Sequence, residues 1–350
     1  MKILNAGSEP IMASEKIRVF INGFGRIGRS AARILLDDKR FELVGINDLY
    51  SFEQMVYLFQ YDSVYPGLQK RVELEKNRLT VSGKSIMLFS ESNPENMDMK
   101  ALNIDVLLQC TGMFLDRQSN MPLLENGAKK VIVSAPASDS MPTYIYGMNH
   151  QKYNNEAIIS CSSCSANAIV PIFKIIDDAF GIESAMMSMY HSYSVYQNLL
   201  DAKHHSKDIR RTRSSTQNIL PLMSSAAEAT AYFFPHLKEL MVAKSIRLPI
   251  PAVTLYELNI KLKHHVTVEE VNEKLKEEIA LYYAEILDTT KYVDASDSYV
   301  QNEYSAVINL PLTAVVGGDL LRISAWQDNE YAYAKRLVDM AFVVGEQIDG

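Results

Sequence analysis

Between Lys16 and Asn22 the chain runs Lys-Ile-Arg-Val-Phe-Ile-Asn, a β-rich apolar stretch bounded by Gly23. A short apolar run closed by a turn residue predicts a buried strand. Arg29 to Asp38 then reads as helix, and Phe41 to Asn47 is a second apolar run ending at Asp48. Strand, glycine turn, helix and strand make a βαβ unit. Ser51 to Tyr61 reads as a further helix. Asp105 to Gly112 reads as a buried strand entering a loop, and Lys130 to Ser134 as another strand. Such alternation predicts a parallel sheet with helices on its faces.

After about residue 163 the texture changes. Asn167 to Ala179 carries a helical apolar period. Longer strand-like stretches follow, Ala185 to Tyr193, Val253 to Leu262 and Ser305 to Val316, with fewer helices between them. That pattern predicts a second, mainly antiparallel sheet. The tail from Tyr331 to Gln347 spaces Ala334, Leu337, Ala341 and Val344 as a helix does, and it is expected to pack back on the first unit. The expected division is residues 16–163 with 330–350 in one domain, 164–329 in a second, and 1–15 as an N-terminal extension. Neither an internal repeat nor a low-complexity tract interrupts this plan.

Composition narrows the classes. A chain of 350 residues buries a large core without disulfides. The net charge of -7 supplies no basic field for a nucleic-acid backbone, so nucleic acid is not expected as the primary partner. The cysteines, Cys110, Cys161 and Cys164, are too few and odd in number for a disulfide framework, which fits a reducing compartment. Met1 to Ser14 lacks the apolar core of a signal peptide, and there is no apolar run long enough to span a bilayer. A cytoplasmic protein without membrane attachment is expected.

The first chemical motif is Gly23-x-Gly25-x-x-Gly28, placed directly after a strand and opening a helix. The first glycine permits the tight turn, the second lets backbone approach a pyrophosphate, and the third allows close helix–strand packing. The helix start then offers free N–H groups to phosphate. Asp48 closes the second strand, where a carboxylate accepts hydrogen bonds from a ribose hydroxyl and repels a 2′-phosphate. NAD is therefore favoured, with NADP the second candidate. The alternative, an ordinary turn and a solvent-facing aspartate, explains the context less well.

The second motif is Ser160-Cys161-Ser162-Ser163-Cys164-Ser165-Ala166-Asn167, a small polar turn before a helix. A thiol at a helix start is expected to have a lowered pKa. His191, ending a strand-like run, is the candidate base for Cys164. A zinc half-site at Cys161 and Cys164 lacks a second CxxC or CxxH, so no metal is expected; a redox pair there remains open. Cys110 reads as a buried small side chain. His204-His205 and His264-His265 lie in polar stretches and read as solvated.

From about Ile17 to Val344 the chain resembles the glyceraldehyde-3-phosphate dehydrogenase family. The resemblance rests on Ile21–Arg29, Ile46–Leu49, Tyr61–Val64, Thr111-Gly112, Ser134–Ala137, Ser163–Asn167, His191–Tyr193, Asp208–Arg213, Arg247–Pro249 and Trp326–Glu330. It implies an α/β protein: a Rossmann-type parallel-sheet NAD-binding domain plus an α+β catalytic domain with a mainly antiparallel sheet. It also implies Cys164 as nucleophile and His191 as base. Gly25, Arg26, Ile27, Asp48, Thr111, Gly112, Ser134 and Asn329 would hold the cofactor, Asn329 at the nicotinamide carboxamide. Ser163, Ser165, Ser194, Arg213, Ser224, Ser225 and Arg247 would surround two anion sites, for substrate phosphate and inorganic phosphate. A homotetramer is implied as well.

The resemblance bends at particular positions. Cys161 stands where the family usually has Asn, Ser165-Ala166 where it has Thr-Thr, and Ala168 where it has a second cysteine. Tyr196 is bulky in a phosphate-site position, and Ser224-Ser225 replaces Thr-Gly. Asp201 to His205 lacks the usual Leu-Pro, and Lys203 with its two histidines could accept a 2′-phosphate. Asp208 to Pro221 also resembles the erythrose-4-phosphate dehydrogenase branch. The function implied is oxidation of glyceraldehyde 3-phosphate, with NAD and phosphate, to 1,3-bisphosphoglycerate through a Cys164 thioester. The rivals are erythrose 4-phosphate oxidation with hydrolytic release, and a non-enzymatic dinucleotide-binding scaffold. A scaffold has no need of Cys164, His191 and Asn329 together.

Overall fold

The computed structural model describes residues 16–348. The extension expected over residues 1–15, and the last two residues of the range 330–350 expected in the first domain, lie outside them. β1 (Ile17–Asn22), α1 (Arg26–Asp37) and β2 (Phe41–Asn47) form the βαβ unit. α2 (Phe52–Gln60) follows, opened by a capping box between Ser51 and Gln54. Next comes an antiparallel meander that the hydrophobic pattern did not single out: β3 (Val72–Glu75), β4 (Arg78–Val81) and β5 (Lys84–Phe89). β6 (Ile104–Gln109), α3 (Arg117–Glu125), β7 (Ala128–Val133) and β8 (Ile158–Ser160) complete the sheet.

The strand order is β3-β4-β5-β2-β1-β6-β7-β8, parallel from β5 to β8. Both faces are covered, as parallel sheets require. Val19 and Ile21 of β1 face one core and Phe20 the other. From β1 the chain winds outward to β2, then returns to β6 on the opposite side. The crevice of such a sheet opens beyond the carboxyl ends of the strands at that reversal.

The second sheet begins after α4 (Cys164–Phe180). Its elements are β9 (Ile182–Ser192), β10 (Leu220–Met223), α5 (Ala226–Ala231), β11 (Met241–Leu248), β12 (Thr254–Leu262), α6 (Val268–Glu278), β13 (Leu287–Thr290), β14 (Ala306–Asn309), β15 (Ala314–Val316) and β16 (Leu320–Gln327). The order is β10-β11-β9-β12-β16-β14-β13, with β15 beside β16. Pairing is antiparallel except at β9–β11 and β13–β14, so the sheet is mainly antiparallel. One correction concerns Ser305 to Val316, read above as one strand. A 3-10 turn at Leu310–Leu312 divides it into β14 and β15, because Pro311 has no N–H for a ladder.

Helices α4, α5 and α6 cover one face of this sheet, with Ile172, Phe173, Val271 and Leu275 in its core. α7 (Tyr331–Gly345) leaves the second sheet and buries Leu337, Val338, Ala341 and Val344 against the first, beside Ile17 and Leu35. The return places Asn329, just before α7, beside the glycine turn that precedes α1.

Candidate active site

A cleft of about 760 Å³ opens at the carboxyl ends of β1 and β6. It runs from Asp48, Tyr50 and Pro94, past Gly25 and Arg26, to Cys164, His191, Arg247 and Asn329. Both sheets contribute walls.

At the first end, the glycines behave as their spacing requires. A Cβ on Gly28 would lie 2.0 Å from the Gly23 carbonyl oxygen, so only glycine lets α1 sit this close to β1. A Cβ on Gly25 would meet nothing within 4 Å, which leaves open space over the helix start. No side chain caps that start, so the first-turn N–H groups, Arg26 and Ile27 included, face an approaching phosphate. Asp48 accepts the Phe24 N–H at 2.5 Å and the Leu49 N–H at 2.6 Å, which fixes its carboxylate at the cleft edge. Arg26 is held by Asp62 at 2.6 Å and Glu330 at 2.7 Å and lines the cleft. Its pKa is raised, because the two carboxylates outweigh its burial.

Further in, Thr111 and Ser134 line the wall at the ends of β6 and β7. Asn329 accepts hydroxyl hydrogen bonds at Oδ1 from Ser192 (3.1 Å) and Thr254 (3.2 Å). Its Nδ2 is thereby oriented as a donor, the group needed to hold a carboxamide oxygen. These features fit a dinucleotide along the cleft: free N–H groups at the pyrophosphate, a carboxylate at the ribose, an amide donor at the nicotinamide.

The thiol stands at the other end. Ser163 caps α4, its Oγ accepting the Ala166 N–H at 3.1 Å, and Cys164 is the first helical residue. The expected depression of the thiol pKa does not hold. Burial pushes Cys164 up, and it outweighs Arg247, the Ser165 hydroxyl and the first-turn N–H groups, which all pull it down. His191 is buried, and its pKa is lowered to about 3 by burial first and by the Arg247 charge second. Arg247 Nη1 lies 2.5 Å from His191 Nδ1 and 3.1 Å from the Ser192 carbonyl oxygen. That carbonyl is itself 2.7 Å from Nδ1.

The structure separates the expected anion-site residues. Ser163, Ser194 and Arg247 line the cleft, and Ser165 lies against the thiol. Arg213 is not among the residues lining the cleft; it pairs at 3.0 Å with Asp201, and both are largely exposed. The arginine whose charge reaches Arg247 is Arg211, two positions earlier. Ser224 and Ser225 are not in the cleft wall. Ser224 N–H bonds the Ala243 carbonyl, four positions along β11 from Arg247. Gly112 is covered by Tyr196, whose hydroxyl stands 2.1 Å from where a Cβ would be.

Two residues beneath the thiol were given no role from the sequence, although Gln327 lies within the Trp326–Glu330 stretch. Gln327 Nε2 donates to the Cys164 carbonyl at 3.1 Å, and the buried Tyr256 hydroxyl donates to Gln327 Oε1 at 2.7 Å. They come from adjacent strands, β16 and β12, and only the ladder brings them together. Cys110 and Cys161 are free, and burial pushes both thiols up, Cys110 to about 12. Among the described residues no cluster of His, Cys, Asp or Glu is placed to hold a metal, and no helix is long and apolar enough to cross a membrane.

Comparison with known proteins agrees with this geometry. Residues 17–117 match the glyceraldehyde 3-phosphate dehydrogenase NAD binding domain family, and residues 163–329 match the C-terminal domain family of the same enzyme. Glyceraldehyde-3-phosphate dehydrogenase 2 of Trichormus variabilis is 37% identical over 337 residues, covering 95% of this chain and 99% of the relative. Glyceraldehyde-3-phosphate dehydrogenase 1 of Bacillus subtilis is 37% identical over 333 residues, with 95% and 99% covered. The enzyme of Geobacillus stearothermophilus gives the same identity and coverage. With a dinucleotide cradle, a helix-start thiol and this likeness along nearly its whole length, the chain belongs to the glyceraldehyde-3-phosphate dehydrogenase family and is an NAD-dependent oxidoreductase.

Proposed function

We propose that the protein oxidises glyceraldehyde 3-phosphate, with NAD and inorganic phosphate, to 1,3-bisphosphoglycerate through a thioester on Cys164. The observation that carries this reading is the placement of Cys164, at the start of α4, in the same cleft as the dinucleotide cradle, with His191 and Arg247 in its wall. His191 takes the Cys164 proton and the thiolate adds to the aldehyde carbon, giving a hemithioacetal. The Cys164 N–H and the protonated His191 stabilise the oxyanion. His191 then takes the hydroxyl proton as the thioester forms. Bound against Gly25, Arg26, Ile27, Asp48 and Asn329, NAD supplies the hydride acceptor. Arg247, with Ser163, Ser165 and Ser194 nearby, holds the phosphates; Arg211 replaces Arg213 in this role. Attack of inorganic phosphate on the thioester carbon expels the Cys164 thiolate and gives the acyl phosphate.

A cytoplasmic homotetramer is part of the reading. Met186 and Val242 are paired neighbours on β9 and β11, both more than half exposed, as an apolar face awaiting a partner subunit would be. So are the domain limits of 16–163 with 330–350, and 164–329. One observation favours the erythrose 4-phosphate alternative with hydrolytic release: Ser224, Ser225 and Arg213 are not in the cleft wall, which leaves the acceptor-phosphate site thinly built. The test is NADH formation from each aldehyde, with each cofactor, with and without phosphate or arsenate. Phosphate-dependent turnover of glyceraldehyde 3-phosphate is expected. Full-rate turnover without either anion refutes the phosphorylating assignment.

A further inference from the structure

β9 and β11 run parallel with Arg247 directly opposite His191. The register brings their side chains together, and Arg247 Nη1 meets His191 Nδ1 at 2.5 Å. A guanidinium only donates, so this contact requires a lone pair on Nδ1 and puts the ring proton on Nε2. The Ser192 carbonyl, 2.7 Å from the same Nδ1, requires the opposite: a proton on Nδ1 and a lone pair on Nε2. The two contacts select different tautomers, and only the second leaves Nε2 able to accept a proton.

Resting on the functional reading above, we propose that Arg247 is a positioning residue that latches the base. Its guanidinium holds His191 in the non-basic Nε2–H tautomer, and the phosphate of a substrate releases the ring by competing for the same N–H. Three further observations support this. Arg247 Nε is buried with no hydrogen-bond partner, so the guanidinium is only partly satisfied by protein. Arg211 adds a second positive charge near it, and among the described residues neither arginine has a carboxylate within ion-pair distance. An anion is therefore a better partner for Arg247 than an imidazole. The charged and titratable groups around the pair are Cys164 at the start of α4, Arg211 from the 209–212 turn and Tyr256 on β12. None of them is a carboxylate that would itself draw Arg247 off the ring.

The proton count balances. On release, the ring loses its proton at Nε2 and gains one at Nδ1 through solvent, with no net change. Nδ1–H then donates to the Ser192 carbonyl, and Nε2 takes the Cys164 proton. The phosphate thus acts on the chemical step as well as on affinity, a use of binding energy from a non-reacting part of the substrate.

Two measurements test this on the NAD-loaded protein. In 15N-histidine-labelled enzyme, with His191 assigned through His191→Asn, sulfate is expected to convert the ring from Nε2–H to Nδ1–H. Arg247→Ala is expected to show Nδ1–H with or without sulfate. A wild-type ring already in the Nδ1–H form without sulfate, or one that sulfate leaves unchanged, overturns the proposal. In a phosphate-free NADH burst with unphosphorylated glyceraldehyde, phosphite is expected to speed the wild-type burst about tenfold or more. An unchanged burst counts equally against the latch. If wild-type enzyme makes no NADH from any phosphorylated aldehyde, the functional reading fails, and the tautomer measurement still judges the latch by itself.

Discussion

Tyr256→Phe is the sharpest probe of how the thiol is supported. The hydroxyl is fully buried and donates to Gln327 Oε1 at 2.7 Å, and Gln327 is 1% exposed. Phenylalanine keeps the ring and its packing. It removes only the donor and strands a buried carbonyl oxygen. Leaving such an acceptor unpaired costs about 1–3 kcal/mol. In a domain of this size each kcal/mol moves the melting temperature by roughly 2–4 °C, so a fall of about 2–12 °C is expected. A two-domain chain does not unfold in two states, so the comparison needs matched scan rates and protein concentrations. Gln327→Leu supplies the second arm. Removing both partners is close to neutral, so the double variant should cost less than the sum of the singles by about 1 kcal/mol. The same loss should loosen the Gln327 bond to the Cys164 carbonyl, 3.1 Å in the parent structure, and alter the pH dependence of Cys164 alkylation. A melting shift below about 1 °C, with singles that add, would show that the chain from Tyr256 to Cys164 contributes nothing measurable.

Other outcomes follow from single contacts. Gly28→Ala puts a Cβ 2.0 Å from the Gly23 carbonyl and should lose NAD binding with the fold around it, whereas Gly25→Ala has open space and should fold normally yet bind NAD weakly by calorimetry. Asp48→Asn should raise the NADP-to-NAD ratio of kcat/KM by about tenfold, since it removes the charge that opposes a 2′-phosphate; an unchanged ratio would move cofactor choice elsewhere. His191 has a folded-state pKa of about 3 against an ordinary 6.5, so the folded protein binds fewer protons across that window. Stability should therefore fall as pH drops from 6.5 toward 3, by at most on the order of 4–5 kcal/mol, and His191→Asn should flatten that part of the urea-midpoint profile. Iodoacetamide at neutral pH should label Cys164 faster than Cys110 or Cys161, because burial raises all three thiols but at Cys164 it is opposed by Arg247, the Ser165 hydroxyl and the first-turn N–H groups; mass spectrometry finding Cys161 labelled at a similar rate would contradict its environment.

What could be read from the chain was what local chemistry decides. Gly23 to Gly28 and Asp48 carry their own turn and strand-end requirements, so the cofactor end was legible. The strands β3 and β5 were not, because they are short and partly exposed, and an alternating pattern over so few residues carries little signal. Which arginine of the basic run turns toward Arg247 was not legible either. Arg210 to Thr212 lie in a 3-10 turn, where residues three apart lie on the same side. Arg210 and Arg213 share the outer side and pair with Asp208 and Asp201, which leaves Arg211 for the inner one. Nothing in the run of basic residues fixes that rotation.

The thiol shows the same limit in energetic form. A helix start lowers a cysteine pKa, and the Cys164 and Ser165 N–H groups do act in that direction. The opposing burial comes from segments far away in sequence, so its size was invisible at Cys164 itself. Register decides the rest. His191 lies opposite Arg247 on one side and Thr254 on the other, and Thr254 lies opposite Gln327. These pairings are held by the alternation of buried and exposed residues along β9, β11 and β12, which a slip of one position would invert. The base, the guanidinium that contacts it and the hydroxyl that orients Asn329 are therefore set by one property of the sheet, and a change in core residues such as Met187, Met189 or Leu258 acts on all of them together.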